Sequence, residues 1–570
     1  MPRGPKNYIP DNLSKTIPFL SFALIIILGF IAYGNSLHGQ FIWDDDKLIK
    51  ENVYLKGVSH VPKLFIEDIG SGAGIKCGSY RPFQMVTYLI DYSLWRLNVV
   101  GYHLTNIILH ILVALTIYWL VDALFDDKML SLFTAVLFVV HPIHTEAVSY
   151  ISGRADSLAT LFLFLCFIFY IKSLTSGTLT YHILVALTYI LSLLSRENSL
   201  ILPVLILLYH YTFKKKIKLN GFLSLLIISF IYILLRSTIL KSILLDLSDS
   251  ATLFQRILGF FVAITTYIRL MLFPFNLHME YGNKLFNLTD PEAILGMVIL
   301  FSLLIYTFRT RNTNKLVFFS LSWFIITLLP QSNLYPINAY MAEHWLYLPS
   351  IGFFLILAKG LSSLYRRKES RIFSLIFVIS LLAIYSYLTI RQNRYWKDPI
   401  VFYERTLRYA PESTKMLNNL GIAYFDMGRK EQGIALFNKA IKIDPADAYA
   451  YINLGYAYQQ INKNKEAIIL FEKAIELNPD NVTAYNHLGN VYSSINMYKE
   501  AVASYQKAIE IDPNFILAYY NLGILYSSIN MYKEAVASYQ KAIEIDPNFI
   551  LARDKLNNLY NQNAGMGPRN

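Results

Sequence analysis

Long apolar segments constrain the fold of this chain more than any other feature. Before Arg391 the sequence contains twelve mostly apolar runs, at roughly 17–35, 104–124, 129–147, 157–173, 181–194, 199–213, 221–240, 254–274, 293–309, 316–333, 346–365 and 372–390. One crossing of a bilayer requires about 20 such residues. A single soluble domain cannot bury this much apolar surface, so the pattern predicts an all-α, polytopic membrane helix bundle.

Clusters of lysine and arginine orient the segments, because short cytoplasmic loops are enriched in basic residues. The clusters are Arg3 with Lys6 and Lys15, then 214–218, 309–315 and 366–371. They share the cytoplasmic side only if segment 254–274, which carries Arg256 and Arg269, makes no net crossing. This segment is then re-entrant or interfacial. We therefore predict about eleven crossings, a cytoplasmic N-terminus and an outer position for everything after Arg391.

Two further features concern this topology. No small-residue cleavage site follows the first apolar run, so we expect a retained first span and not a signal peptide. The loop with Asp122, Asp126 and Asp127 disagrees with the assignment, because it places three acids on the basic, cytoplasmic side.

The chain changes character after residue 395, where it becomes polar and repetitive. Prolines 411, 445, 479, 513 and 547 recur every 34 residues, which is the length of a tetratricopeptide repeat. Repeats begin near 414, 448, 482 and 516, and small residues such as Gly455, Ala467 and Ala474 stand where two helices approach. The sequence thus predicts a membrane domain at 1–395 and a tetratricopeptide-repeat superhelix at 396–570, with capping helices at 398–409 and 548–562.

The predicted topology places most polar clusters near span ends on the outer side. These clusters are "FIWDDDK" (41–47), "SYRPF" (79–83), "HPIHTEAVSYISGRAD" (141–156), "SREN" (195–198) and "YMAEHWLYLPS" (340–350). Ionisable residues at membrane depth mark functional sites. Their common side predicts a single extracytoplasmic site.

These motifs, in this order and followed by tetratricopeptide repeats, resemble the transmembrane and tetratricopeptide-repeat O-mannosyltransferases. Those proteins are polytopic glycosyltransferases of the C fold class, and the resemblance covers nearly the whole chain. It implies transfer of a sugar, mannose foremost, from a polyprenyl-phosphate carrier to a serine or threonine hydroxyl of a protein outside the cytosol. The implied partners are the lipid-linked sugar, a protein acceptor held by the repeats, and membrane lipid. No nucleic acid is expected.

The chemistry of such a transfer selects the candidate residues. An attacking hydroxyl must lose its proton to a carboxylate, and Asp44 and Asp45, just after the first span, are the predicted catalytic residues. A departing phosphate needs cations, which we assign to Arg81, Arg154 and Arg196. The candidates for binding sugar or acceptor are His141, His144, Glu146, Asp156, Glu197, Glu343, His344 and Tyr347.

No metal site is assigned, but a divalent cation stays open. Adjacent carboxylates at Asp44 and Asp45 are suitable ligands, and His141, His144 and Glu146 have a spacing that also permits one.

Each assignment has a structural alternative. Asp44 and Asp45 fit a solvated acidic loop, His141 and Asp156 fit a polar network that holds helix ends, and Trp345 and Tyr347 fit interfacial anchors. The stretch "GSGAGIKCG" (70–78) lacks the Gly-Lys-Ser/Thr ending of a phosphate loop, so we predict a flexible external loop.

The repeats contain one further candidate site. Asn419, Asn453 and Asn521 occupy the same repeat position, and His487 interrupts the series. Amide side chains in the groove of the superhelix would bind a peptide backbone without reading its sequence. Ordinary polar surface is the alternative.

Three functions are therefore compatible with the sequence. The first is a membrane glycosyltransferase with a protein acceptor. The second is an enzyme that uses a glycan acceptor, as a ligase or polymerase of surface polysaccharide does. The third is a membrane-anchored repeat scaffold without activity. The expected location is a prokaryotic plasma (inner) membrane, with an ER membrane as the alternative.

Overall fold

The computed structural model describes residues 11–240, 252–282, 284–334, 337, 339–547 and 549–564. Arg3, Lys6 and Asn548, which belong to features predicted above, lie outside these residues. The chain divides into two compact units, Met1–Phe402 and Tyr403–Asn570. The described residues form helices and no strand, which confirms the predicted all-α class.

The first unit contains fifteen α-helices among its described residues. They are α1 (Asp11–Tyr33), α2 (Val61–Leu64), α3 (Pro82–Trp95), α4 (Val99–Phe125), α5 (Lys128–Val140), α6 (Thr145–Ser149), α7 (Arg154–Ser176), α8 (Leu179–Ser195), α9 (Leu202–Phe213), α10 (Leu219–Ile239), α11 (Leu253–Leu272), α12 (Pro291–Thr310), α13 (Lys315–Leu328), α14 (Ser350–Arg366) and α15 (Arg371–Asn393). Each of the twelve predicted apolar runs coincides with one of the longer helices.

The number of helices that suit a bilayer is lower than the number of apolar runs. Within the described residues, seven helices are long and apolar enough to cross a membrane, or up to eight if a bent pair is one span. Length explains the difference from eleven: α9 has 12 residues and is about 18 Å long, against a hydrocarbon core of about 30 Å. Most of segment 254–274 forms one unbroken helix, α11, which is among these seven candidates, so its predicted lack of a net crossing stays a prediction.

Helix α5 lies at the centre of this unit. It contacts α1, α4, α14 and α15, and its residues from Ala135 to Val140 are almost completely buried. Pro142 ends the helix, as predicted, because His141 before it takes an extended conformation and the chain turns by 55°. After the turn, residues 142–153 form short helices between α5 and α7, and Arg154 and Asp156 lie in the first turn of α7.

The long segment between α1 and α3 is folded. Asp68 accepts hydrogen bonds from the N–H groups of Gly70, Cys77 and Ser79, at 2.8, 2.9 and 3.0 Å. The glycine-rich stretch therefore wraps around the Asp68 carboxylate. In a phosphate loop the same backbone N–H groups would bind a phosphate. Helix α3, which follows, was not predicted, since it is short and its apolar residues are interrupted.

The second unit consists of four helix pairs and a final helix. Helix α16 (Pro399–Tyr409) precedes the pairs α17–α18 (Thr414–Asp426, Lys430–Ile443), α19–α20 (Ala448–Gln460, Asn464–Leu477), α21–α22 (Val482–Ser494, Tyr498–Ile511) and α23–α24 (Ile516–Ser528, Tyr532–Ile545), and α25 (Ile550–Ala564) ends the series. In each pair a glycine of the first helix faces an aromatic ring of the second. A Cβ at Gly455 would lie 2.7 Å from the ring of Phe471, so only glycine permits this approach.

The two cysteines of the chain test the predicted orientation without any engineered label. Cys77 is exposed in the loop before α3, and Cys166 is buried in α7. We expect a membrane-impermeant maleimide to modify Cys77 in intact cells and to leave Cys166 unmodified until denaturation, as measured by mass spectrometry. Cys77→Ser should remove the signal, and Lys215→Cys should react only after permeabilisation. Protection of Cys77 in intact cells would place this loop inside and contradict the topology.

Candidate functional site

The segment from His141 to Asp156 carries ionisable side chains into the interior of the membrane unit. His141, His144, Glu146 and Arg154 are all at most 1% exposed. Burial of such groups is costly unless they are paired. Arg154 and Glu146 belong to two polar groups, which we call the Asp45 cluster (Asp45, Tyr88, Asp91, Ser152 and Arg154) and, after its predicted side, the outer cleft (Asp156, Arg196, His344 and the residues around them).

Asp45 is held in a buried position by three hydrogen bonds. The Ser152 hydroxyl and N–H donate to one carboxylate oxygen at 2.5 and 2.9 Å, and the Ile42 N–H donates to the other at 3.0 Å. Trp43, two residues earlier, has a φ of 61°, which is unfavourable for a bulky side chain. Strained backbone of this kind concentrates at functional sites. Asp44, in contrast, is exposed.

Burial raises the pKa of the Asp45 carboxyl to about 7, although the hydrogen bonds from Ser152 and Ile42 oppose the shift. The adjacent Asp44 adds to the increase. A carboxyl group with this pKa exchanges its proton near neutral pH, which is the property of an efficient general base.

Arg154 is enclosed by protein on all sides. Its guanidinium forms a 2.5 Å ion pair with Asp91 and donates to the Asn106 side chain at 2.6 Å and to the Tyr102 carbonyl at 3.0 Å. It also lies over the Tyr88 ring, 4.7 Å from its centre. The Arg154 side chain is 0% exposed and all its contacts in this structure are with protein groups, so its assignment to phosphate binding stays a prediction.

The outer cleft brings together residues from four distant parts of the chain. Arg196 forms an ion pair with Asp156, and both line the cleft. Its other lining residues are Ala159, Thr160, Leu163, Asn198, Ser199, Thr327, Gln331, His344, Trp345 and Leu348. The cleft thus lies between the start of α7, the loop before α9, the end of α13 and the segment before α14.

Three arginines, of which Arg196 is one, surround the carboxylate of Glu197 next to the cleft. Arg81 pairs with Glu197 at 3.1 Å, and Arg236 of α10 is also close. Burial alone would raise the pKa of Glu197. The positive charges of Arg81, Arg196 and Arg236 outweigh this effect and hold the pKa well below its usual range. With Asp156 as the second acid, this group carries a net positive charge. Arg236 was missed in the sequence because it lies inside an apolar run.

His344 reaches the cleft because Glu146 holds it. The Glu146 carboxylate accepts hydrogen bonds from the ring Nδ1 of His344 at 2.5 Å and from its N–H at 2.9 Å. Glu343 turns the other way and accepts from the His278 N–H and the Tyr281 hydroxyl, both at 2.6 Å. Glu343 therefore organises the loop after α11 and does not line the cleft.

The remaining predicted site residues lie in an aromatic core. His141 contacts the Met271 carbonyl at 3.2 Å, and the Tyr347 hydroxyl lies 2.7 Å from His110. The ring of His144 packs against Phe138 at 4.2 Å. Tyr347 is 1% exposed, which excludes an interfacial anchor. These three residues are predicted ligands of sugar or acceptor, and the structure places none of them on the cleft.

No metal centre is evident in the part of the chain that the structure describes, where no three His, Cys, Asp or Glu side chains converge as ligands. The spacing of His141, His144 and Glu146 therefore does not translate into a ligand set. His141 and Glu146 bond to other protein groups.

In the repeats, the four predicted groove residues are all half-buried: Asn419, Asn453, His487 and Asn521. Asn521 donates to Asn486 of the preceding repeat at 2.9 Å. His487 stacks on the Phe471 ring with an angle of 10° between the rings. Its ring Nδ1 is buried, with no hydrogen-bond partner among the described residues.

The fold and the outer cleft define a polytopic membrane protein with an ionisable site near one set of span ends and a tetratricopeptide-repeat unit. Models of the tetratricopeptide repeat match the chain, as "TPR repeat" at 421–462 and 489–530 and as "Tetratricopeptide repeat" at 448–481, 470–503 and 516–549.

Curated relatives extend the comparison to the membrane unit. A protein O-mannosyl-transferase of Caenorhabditis elegans is 28% identical over 454 residues, which are 74% of this chain and 63% of that protein. Protein O-mannosyl-transferase TMTC3 of Mus musculus is 27% identical over 470 residues, 74% of this chain and 51% of that protein. The predicted resemblance to this family is thus confirmed, and the chain spans between half and two thirds of these relatives.

A shorter stretch is more similar still. Protein O-mannosyl-transferase TMTC1 of Homo sapiens is 39% identical over 160 residues, 27% of this chain and 18% of that protein. Among solved structures, a crystal structure of MamA is 34% identical and covers 26% of this chain and 87% of its own, with a TM-score of 0.24.

The buried ion pair of Arg154 yields a stability prediction. Asp91→Asn leaves the guanidinium without its counter-charge, and breaking a buried pair on one side costs about 3–5 kcal/mol. We expect a clear loss of thermal stability of the detergent-solubilised protein. Lys47→Ala, which removes an exposed ion pair with Glu51, is the control and should leave the unfolding temperature unchanged. Equal stability of Asp91→Asn and the control would show that the pair is not structural.

Proposed function

We propose that this chain is a membrane glycosyltransferase that moves mannose from a polyprenyl-phosphate donor to a serine or threonine hydroxyl of a protein. The observation that supports this most is the outer cleft, where Arg196 and His344 meet beside Arg81. The relatives carry the name protein O-mannosyl-transferase, which favours the same reaction. The chain covers only part of each relative, so donor, acceptor and sugar are our assignments.

In this proposal the arginines receive the departing phosphate. Arg196 and Arg236 each have a buried Nε–H without a hydrogen-bond partner among the described residues. A buried donor without a partner is costly, and a phosphate oxygen would satisfy it. Asp156 and Glu197 hold the guanidinium groups in place, while Glu146 fixes the ring of His344 at the cleft.

The acidic loop supplies the base. The acceptor hydroxyl donates its proton to a carboxylate as its oxygen attacks the anomeric carbon, and the bond from that carbon to the phosphate oxygen breaks. Asp45 has a suitable pKa and a position held by Ser152 and Ile42. Asp44 is the more accessible ligand for a divalent cation, because it is exposed whereas the Asp45 carboxylate is buried and accepts three hydrogen bonds.

A pair of variants in the same loop tests the base. With purified protein, polyprenyl-phosphate mannose and a protein acceptor, Asp45→Asn should reduce transfer by about 100-fold or more. Asp46→Asn, whose carboxylate forms a half-exposed pair with Lys50, is the matched control and should retain activity. Because the carboxylate is the active form, wild-type transfer should rise with pH through about 7. Full activity of Asp45→Asn, with loss in Asp44→Asn, would move the base to Asp44.

We also propose that the repeats present the protein acceptor. Asn419 and Asn453 occupy equivalent half-buried positions, from which an amide can bond an extended peptide. Binding of this kind acts on a long acceptor and not on a short one.

Substitution of the two asparagines tests this part. Asn419→Ala with Asn453→Ala should weaken transfer to a full-length protein and leave transfer to a short peptide unchanged, as measured by mannose incorporation. Asn438→Ala, on the exposed face of α18, is the control. Equal effects on both acceptors, or none, would contradict the proposal.

Elongation of a glycan in the same assay would favour the polysaccharide alternative, and no turnover with any donor would favour a scaffold.

The proposed orientation in the membrane rests on the charge distribution. We propose a multi-pass protein of a prokaryotic plasma membrane, with its N-terminus in the cytoplasm and its repeats outside. The lysine and arginine clusters at 214–218, 309–315 and 366–371 support this orientation.

A further inference from the structure

A second polar cavity lies in the membrane unit, remote from the outer cleft. Its volume is about 320 Å³, and it is lined by Asp127, Leu130, Leu316, Lys359, Ser362, Ser363, Arg366 and Arg367. Helices α5 and α13 begin at this cavity, and the other end of α13 lines the outer cleft. Helix α14 runs from the cleft side to the cavity. Since α14 has 17 residues and a length of about 25 Å, the two sites occupy opposite ends of the bundle.

One face of α14 carries most of the polar groups of this cavity. Lys359, Ser362, Ser363 and Arg366 are spaced three, four and seven residues apart, which aligns them along one side of a helix. Arg367 follows at the C-terminal end. Cations and hydroxyl donors on one face form a surface that suits a tetrahedral anion with several oxygens.

The charges of the cavity are not balanced. Asp127 is its one acid, and it forms a 2.5 Å ion pair with Arg366. Lys359 and Arg367 form no ion pair within the described part of the chain. Lys359 is half-buried two helical turns inside the end of α14, where an ammonium group without a counter-charge is unfavourable. The cavity thus has a net charge of two positive units, which favours binding of an anion.

We propose that this basic cavity (Lys359, Ser362, Ser363 and Arg367 beside the Asp127–Arg366 pair) binds the phosphate group of an anionic phospholipid. In a bundle that spans a bilayer, the first residues of α5 and α13 and the last residues of α14 lie at head-group level, so a lipid phosphate can reach the cavity from that end. Basic pockets between membrane helices on the cytoplasmic side are typical sites for anionic headgroups. The site is independent of the transfer reaction, since it shares no residue with the outer cleft.

Lipid retention by the intact protein tests this site. The full chain is placed in nanodiscs of phosphatidylcholine with phosphatidylglycerol, released into the gas phase and analysed by native mass spectrometry. Lys359→Ala with Arg367→Ala should lower the affinity for phosphatidylglycerol about tenfold or more. Lys215→Ala with Lys216→Ala removes the same charge from another basic loop and should retain lipid as the wild type does. Equal retention by both double variants would overturn the proposal.

A second measurement separates a headgroup from free phosphate. In nanodiscs of phosphatidylcholine alone, inorganic phosphate is added and the unfolding temperature is measured. We expect no increase with phosphate and an increase when phosphatidylglycerol is included, which the Lys359→Ala, Arg367→Ala variant should lose. Stabilisation by inorganic phosphate without retention of phosphatidylglycerol would overturn the lipid assignment. Because neither readout involves mannose transfer, failure here is distinguishable from failure of the proposed enzyme.

Discussion

The buried ion pair between Arg154 and Asp91 is the interaction on which the arrangement of the site depends. It attaches the first residue of α7 to α3, and further hydrogen bonds attach the same guanidinium to α4. Ser152, two residues before Arg154, donates twice to Asp45, and Asp156, two residues after it, pairs with Arg196. One buried cation thereby positions both the carboxylate of the first loop and the outer cleft. Its enclosure shows that a cation near a span end can have all its contacts within the protein.

The two polar ends of the membrane unit follow different rules. At the cleft, two of the three arginines pair with an acid, Arg196 with Asp156 and Arg81 with Glu197, so their orientation is set before any ligand arrives. At the opposite end, Arg366 pairs with Asp127, and the described residues supply no acid to Lys359 or Arg367. The acidic loop that disagreed with the basic character of this side is explained here, because Asp127 pairs with Arg366. The negative charge of Asp127 is therefore compensated by Arg366, which lies 239 residues away in the chain.

Several residues of the candidate site were predictable, and the reasons why others were not are physical. Arg196, His344 and Asp156 stand at the ends of apolar runs, where a polar side chain has few alternatives to lining a common cavity. Asp91 and Arg236 lie within helices, and nothing in their local sequence indicates which partner they face. Glu343 and His344 are neighbours in the chain, yet a short helical turn directs one to the loop after α11 and the other to the cleft. These directions depend on backbone angles that a residue pattern does not encode.

The sequence by itself determined the helical class, the positions of the apolar segments, the break at Pro142 and the 34-residue repeat, because each depends on local periodicity or on one residue's covalent geometry. Only the tertiary structure decided which ionisable groups meet. It enclosed Arg154, left Asp44 exposed beside buried Asp45, and placed His141, His144 and Tyr347 among aromatic rings. The physical reason is that pairing and burial depend on distances between segments that are far apart in the chain, and helix packing sets those distances.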